Sequence, residues 1–154
     1  SAILPTPFGA LGIIADAEYL REIIFLPGSA AALQPSGIPA EKAVEQLARY
    51  LADPDYRFDL PLAEQGSHFR RRTWAAIGEI PRGETRTYSE IAALLDNPHG
   101  QRAVGRACAT NPVSLVIPCH RAVREDGHLG GYRWGLDRKE SLLAHERREL
   151  TTEG

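Results

Sequence analysis

The chain of 154 residues contains no methionine and only two cysteines, Cys108 and Cys119. Two cysteines fall short of the roughly four ligands at characteristic spacing that a structural zinc site requires, so no metal is expected. Long apolar runs are also missing. The longest, such as Ile23–Leu26 and Leu115–Ile117, stop far below the roughly 20 residues needed to cross a bilayer, so no membrane span is expected. The start, Ser1-Ala2-Ile3-Leu4-Pro5, has neither a basic leader nor a long hydrophobic stretch, so no secretory signal is read there and a reduced, cytoplasmic compartment is expected. In such a compartment the cysteines stay free thiols and become candidates for chemistry. The missing methionine reads either as a removed initiator or as a sign of a longer chain. No internal repeat or low-complexity segment is present. With 43% hydrophobic and 25% charged residues, the composition is that of an ordinary globular protein, which excludes collagen-like, disordered and coiled-coil classes.

The net charge of −2 is unevenly spread. Residues 1–65 hold 4 basic and 9 acidic side chains, residues 66–148 hold 14 and 9, and the last six residues add 2 acids, for net charges of −5, +5 and −2. A basic second half on an acidic whole suggests one face for a polyanion and a remainder that repels it; unevenly charged solvated surface is the plainer alternative.

The pattern predicts an α/β chain in two parts, residues 1–62 and 66–154. In the first, Ala10–Ala15 and Leu20–Leu26 read as antiparallel strands joined by a tight turn at Asp16–Tyr19, with Ala2–Leu4 as an edge strand. A helix over Ala40–Ala52, with Val44, Leu47, Ala48 and Leu51 on one face, is expected to cover that sheet. Tyr56–Leu60 suggests another strand, and Pro61–Gly66 a linker. In the second part, Ser67 is an expected cap for a helix burying Phe69, Thr73, Ala76, Ile77 and Ile80. Thr87-Tyr88-Ser89-Glu90 is a capping box opening a helix with Ile91, Ala92 and Leu95 inward. After the turn Asp96–His99, a second short helix over Gly100–Ala109 completes a helix-turn-helix candidate. Arg102 and Arg106 lie four apart on one face of it, while Gly100, Ala103, Gly105, Ala107 and Ala109 keep its surface low. Such a surface suits close approach to a nucleic-acid groove or tight packing on a neighbouring helix.

Ser114–Ile117 reads as a short apolar strand delivering Pro118-Cys119-His120-Arg121. A thiol beside a histidine base is a candidate nucleophile. Adjacent residues on a strand face opposite ways, however, so spacing alone leaves the pair open.

Arg102-Ala103-Val104-Gly105, Asn111-Pro112 and Pro118-Cys119-His120-Arg121 together resemble the O6-alkylguanine-DNA alkyltransferase family. Further matches are Ile80-Pro81-Arg82-Gly83-Glu84-Thr85-Arg86-Thr87-Tyr88 upstream, and Gly131-Tyr132, Arg138-Lys139, Leu142-Leu143 and Glu146 downstream. They follow the family's order across residues 67–146, whereas the first 65 residues resemble its variable amino-terminal domain only in layout. The Tyr132-Arg133-Trp134-Gly135 run resembles the transferase domain of the bacterial adaptive-response protein.

The resemblance implies a ribonuclease H-like layout in the first part and a winged-helix-like domain with the helix-turn-helix in the second. It implies a methylated-DNA–protein-cysteine methyltransferase that moves an alkyl group from O6 of guanine, with O4-methylthymine as a further candidate lesion, to its own Cys119. The protein would be consumed in one turnover, with double-stranded DNA as partner, no cofactor, and a monomer as the working form. By the same resemblance His120 is the base and Glu146 its orienting acid, placed by a capping box over Asp137–Glu140 at the start of the last helix. Tyr88 assists the leaving guanine and the rotation of the nucleotide, Lys139 supports that network, and Asn111 braces the loop before the cysteine. Arg102 enters the duplex through the minor groove with Arg106, Ala103 and Gly105 on the same helix, the target base being extruded. Tyr132, Arg133 and Trp134 line the alkyl pocket, and the bulk of Trp134 predicts a preference for methyl over benzyl. Cys108 matches no family nucleophile and reads as structural.

Three other classes fit parts of the pattern: a recognition-only relative, in which the reactive cysteine is replaced; a Cys-His hydrolase, which needs neither Arg102 nor Arg106; and a transcription regulator using the helix-turn-helix. Cys119 argues against the first.

Overall fold

The computed structural model describes residues 1–126 and 128–152. The chain forms two compact units, Ser1–Glu64 with Pro112–Ser114, and Gln65–Asn111 with Leu115–Gly154. Among the described residues no helix is long and apolar enough to cross a membrane.

The first unit is built on an antiparallel sheet of β1 (Ala2–Leu4), β2 (Leu11–Ala15) and β3 (Leu20–Phe25) in that order. Ile13 stands opposite Ala2 on one side and Ile23 on the other, and Leu11 opposite Leu4 and Phe25. Leu11, Ile13, Ile23 and Phe25 are buried, the period-two pattern of a sheet with one covered face. The β2–β3 turn is closed by Asp16, whose Oδ1 accepts the N–H groups of Glu18 and Tyr19 at 2.9 and 2.7 Å.

Helix α1 (Ile38–Ala52) packs on this sheet, but with a different face from the one the sequence suggests. It buries Pro39, Ala40, Ala43, Leu47 and Tyr50, leaving Val44 and Leu51 half-buried and Ala48 exposed. Small Ala40 and Ala43 let the backbone approach closely and Tyr50 fills the far end; choosing the larger aliphatics rotates the helix the wrong way. Tyr56–Leu60 is not a strand either. The Gln46 carboxamide donates to Asp59 O at 3.0 Å and accepts from Asp59 N at 2.8 Å, so a side chain satisfies the backbone that a neighbouring strand would otherwise pair. Strand β3 also receives Pro112–Ser114: Ile23 N donates to Pro112 O at 2.9 Å and Ser114 N to Ile23 O at 3.1 Å.

The second unit contains α2 (His68–Gly78), α3 (Tyr88–Leu94), α4 (Gln101–Ala109) and α5 (Leu136–Thr152), with a parallel pair of two-residue strands, β4 (Arg86–Thr87) and β5 (Ala122–Val123). Ser67 Oγ caps α2 by accepting from Arg70 N at 3.2 Å. The Thr87–Glu90 capping box opens α3 with bonds of 2.9 and 3.0 Å. At the α3–α4 turn, Asp96 adopts φ 56° and Gly100 sits so close to Asn97 that a Cβ would lie 2.5 Å from its Nδ2, so a side chain there would have to displace the Asn97 carboxamide. The core gathers Trp74, Ile77, Ile80, Ile91, Ala92, Leu95, Val104, Cys119 and Ala122. Trp74 Nε1 donates to Ala107 O at 2.8 Å, a carbonyl at the end of α4 that also accepts from Thr110 N. That bond fixes α4 against α2.

Two expected features differ. Ser114–Ile117 forms a turn rather than a strand, because Leu115 adopts φ 72°; Cys119 therefore opens a 3-10 turn, Cys119–Arg121, instead of ending a strand. Helix α5 begins at Leu136 behind Gly135 (φ 101°), whose carbonyl accepts from Lys139 N at 3.1 Å. Asp137 thus lies inside the first turn, where its charge suits the helix dipole, and is not the cap of a box with Glu140.

Candidate active site

Three elements of the second unit bring the expected chemistry together: the end of α4 with Asn111, the 3-10 turn, and α5. Cys119 is buried at 4% exposure, and His120 and Glu146 are fully buried. His120 Nε2 lies 2.8 Å from Glu146 Oε2, and its Nδ1 has no hydrogen-bond partner among the described residues. With Nε2 directed at the acid, Nδ1 is the nitrogen left to accept a proton. No direct bond joins it to the Cys119 thiol.

Arg121, which sequence reasoning passed over, completes the acid. Its Nε meets Glu146 Oε1 at 3.0 Å and its Nη2 meets Oε2 at 2.9 Å, while Nη1 donates to Ile80 O at 2.6 Å. Arg82 Nη1 reaches the backbone carbonyl of Glu146 at 3.0 Å. Burial alone would raise the Glu146 carboxyl, but His120 and Arg121 outweigh it and hold the group well below the usual carboxylate range. A signal for Arg121 did exist: an arginine directly after a buried His needs a buried anion, and Glu146 was already singled out.

Asn111 Nδ2 donates to Ile117 O at 2.8 Å, which holds the segment that leads to Cys119. The neighbouring Cys108 thiol and burial push Cys119 well above an ordinary thiol, against the pull of Asn111 and Lys139. A thiol held in this way stays protonated at neutral pH and needs a base to become a nucleophile. Cys108, on the last turn of α4 and half-buried, packs against the core cluster that includes Cys119.

Lys139 is fully buried and spends its three donors on the carbonyls of Ala122 (2.6 Å), Leu129 (2.5 Å) and Gly131 (3.2 Å), which pins the loop that follows β5. Burial lowers it to about 8, although the two thiols pull the other way. Its Nζ lies 5.9 Å from the centre of the Tyr88 ring, whose hydroxyl is 3.5 Å from Gly131 O. Burial first, then the two thiols, pushes Tyr88 up to about 12, so its phenol is a proton donor throughout the ordinary pH range. Burial, with Cys119 nearby, likewise raises Tyr132. Arg133 stacks on Trp134 at 4.4 Å and donates to Asn111 O at 3.4 Å, while Arg138 Nη1 donates to Trp134 O at 3.1 Å. Arg102 and Arg106 are exposed on α4, with Ala103 and Gly105 half-buried between them. Among the described residues no cluster of three or more His, Cys, Asp or Glu side chains could hold a metal ion.

Residues 68–148 match the family model described as 6-O-methylguanine DNA methyltransferase, DNA binding domain. The chain is 41% identical over 150 residues to a methylated-DNA–protein-cysteine methyltransferase of Methanosarcina acetivorans, a match covering 94% of this chain and 96% of the relative. It is 41% identical over 112 residues to the bifunctional transcriptional activator/DNA repair enzyme Ada of Escherichia coli, covering 73% of this chain and 32% of that protein. Among solved structures, the Mycobacterium tuberculosis OGT in complex with DNA matches with a TM-score of 0.84 at 35% identity, over 95% of this chain and 91% of that one.

Proposed function

Because the chain belongs to the O6-methylguanine DNA methyltransferase family, we propose that it repairs DNA by moving the alkyl group of O6-alkylguanine onto its own Cys119. The observation that carries this reading is the buried His120–Glu146 pair at 2.8 Å, next in sequence to the buried thiol of Cys119. Cys119 gives its proton to Nδ1 of His120 through a bridging water, and Glu146 and Arg121 balance the charge that forms. The sulfur then bonds to the O6-alkyl carbon as the carbon–oxygen bond breaks, and the electron pair moves into the guanine. Tyr88 donates to the departing base, while Lys139 and Asn111 hold the loops that position Tyr88 and Cys119.

A methyl on O6 lies in the stack, so the nucleotide must be extruded before the sulfur can align behind it. In this reading α4 enters the minor groove, Arg102 occupies the vacated place in the duplex, and Arg106 contacts phosphate. The groove's degenerate code suits a lesion found in any sequence context. A thioether is a poor leaving group, so each protein acts once, on O6-methylguanine and, in the same reading, O4-methylthymine. The reading also takes the first unit as ribonuclease H-like, supported by its antiparallel sheet and covering helix, and the second as winged-helix-like, supported by the α3–α4 pair and the β4–β5 strands. A monomer in the cytoplasm suffices for it.

Intact-protein mass after incubation with a duplex holding one O6-methylguanine tests it. The expected result is one added methyl, saturating at one per protein, and none with undamaged duplex or with Cys119→Ser. Tight binding without mass change would mean recognition without repair.

A further inference from the structure

Tyr88 is fixed by its neighbour as well as by its own ring. Ser89, on the first turn of α3, gives both of its donors to one carboxylate oxygen: Ser89 N meets Glu125 Oε1 at 2.9 Å and Ser89 Oγ meets it at 2.5 Å. A first-turn amide has no acceptor inside its own helix, and Glu125 supplies the one that Ser89 needs. Register brings them together, because the parallel strands β4 and β5 pair Thr87 with Val123 and the two segments run on side by side for two residues. The Ser89 hydroxyl first, then backbone N–H groups, hold the Glu125 carboxyl below its ordinary value, so the acceptor is charged at neutral pH.

Farther along, the chain that carries Glu125 closes over the phenol. A Cβ added at Gly130 would lie 2.9 Å from the Tyr88 hydroxyl and 3.0 Å from Arg124 Cγ, and the hydroxyl itself is 3.5 Å from Gly131 O. Arg124 N donates to His128 O at 3.1 Å, while Lys139 Nζ donates to the carbonyls of Leu129 and Gly131. Lys139 therefore fastens this stretch from α5, and Glu125 fastens it from α3.

We propose that Glu125 is a positioning residue for the transfer: by bonding Ser89 twice it locks the start of α3 to the stretch bearing Gly130 and Gly131, and so sets where the Tyr88 phenol meets the departing guanine. This deepens the reading of Tyr88 as proton donor and rests on it. Glu125 acts through the phenol, so its effect on rate vanishes once the phenol is removed.

Single-turnover methyl transfer from an O6-methylguanine duplex at saturating protein tests this, with DNA affinity and thermal melting measured for each variant. Glu125→Ala should slow transfer about tenfold, the scale on which a misplaced reacting group costs rate, with affinity and melting little changed. Ser89→Ala keeps the backbone bond and should slow it less. Glu125→Gln, whose carboxamide oxygen accepts both bonds without the charge, should recover most of the loss. In a Tyr88→Phe background, Glu125→Ala should add less than about twofold. Additive losses in the double variant would overturn the proposal, as would equal slowing by alanine and glutamine. A gain in DNA affinity at unchanged rate would do the same, marking a carboxylate that only repels phosphate. Amide hydrogen exchange without DNA reads the contact itself: Ser89 N–H should be protected in the wild type and lose protection in Glu125→Ala, and fast exchange in the wild type would sink the role. A wild type that accepts no methyl would remove the repair reading and this role with it, whereas normal wild-type transfer with additive losses removes the role alone.

Discussion

Arg121 grips Glu146 with two arms of its guanidinium, Nε on Oε1 at 3.0 Å and Nη2 on Oε2 at 2.9 Å, and shares Oε2 with His120. The permanent charge of Arg121 balances the carboxylate, so the imidazole beside it can donate from Nε2 and keep Nδ1 for a proton. Removing the arginine would leave a buried anion with one hydrogen-bonding neighbour fewer. Arg121→Ala is expected to lose about 3–5 kcal/mol of stability, and Arg121→Lys less, measured by urea unfolding at pH 7.

Acid should expose the same pair. Glu146 is held below its ordinary value of 4.5, so its contribution is full above that value and drains away as pH falls below it toward the folded-state value. Stability of the wild type should therefore drop more steeply below pH 4.5 than that of Glu146→Gln, with parallel curves above it. Equal slopes in acid would show that the carboxylate is not held in this way.

Tyr88→Phe removes the phenol that burial keeps protonated up to about 12. Single-turnover transfer from an O6-methylguanine duplex should slow about a hundredfold, the order expected for loss of one proton donor, with DNA affinity little changed. In the wild type this group should give no inflection in the rate between pH 6 and the phenol's own value of about 12.

Trp134 is braced on two sides, by the Arg133 guanidinium at 4.4 Å and by the Arg138 bond to its carbonyl. Trp134→Ala should raise benzyl transfer by about ten- to two-hundredfold, the range over which an apolar pocket wall discriminates, with methyl transfer little altered. Arg133→Ala should move benzyl transfer the same way by a smaller amount. Fast benzyl transfer in the wild type would mean that the indole is turned away from the alkyl group.

Arg106 is exposed on α4 and reads as a phosphate contact. Arg106→Ala should flatten the slope of log affinity against log salt by about 0.9 on undamaged and damaged duplex alike. Titrations by fluorescence anisotropy at several salt concentrations measure it.

Local chemistry was the most legible part of the sequence. Ser67 and the Thr87–Glu90 box act within three residues and could be read directly, and so could the three strands, because a tight turn at Asp16–Tyr19 separates two short apolar runs. The face of α1 was not legible, since Ala40 and Ala43 are buried through close approach to the sheet rather than through their own bulk. The strand expected at Ser114–Ile117 failed on one backbone angle at Leu115, which no apolar run announces. The residues expected at the site fall on the second unit, and His120 and Glu146 do meet there. What connects them was hidden because it is tertiary: Arg121 finds Glu146 across 25 positions.

The two units are not consecutive on the chain. After Asn111 the path leaves the second unit, lays Pro112–Ser114 along β3 of the first, and returns at Leu115 four residues before the thiol. No single cut can therefore release the reactive half intact. A truncation beginning at Gln65 would keep every side chain of the candidate site and still strip Pro112 O and Ser114 N of their partner, Ile23, in the stretch that leads from Asn111 to Cys119. A minimal, portable version of the protein that keeps Pro112–Ser114 paired would have to carry β3 with it.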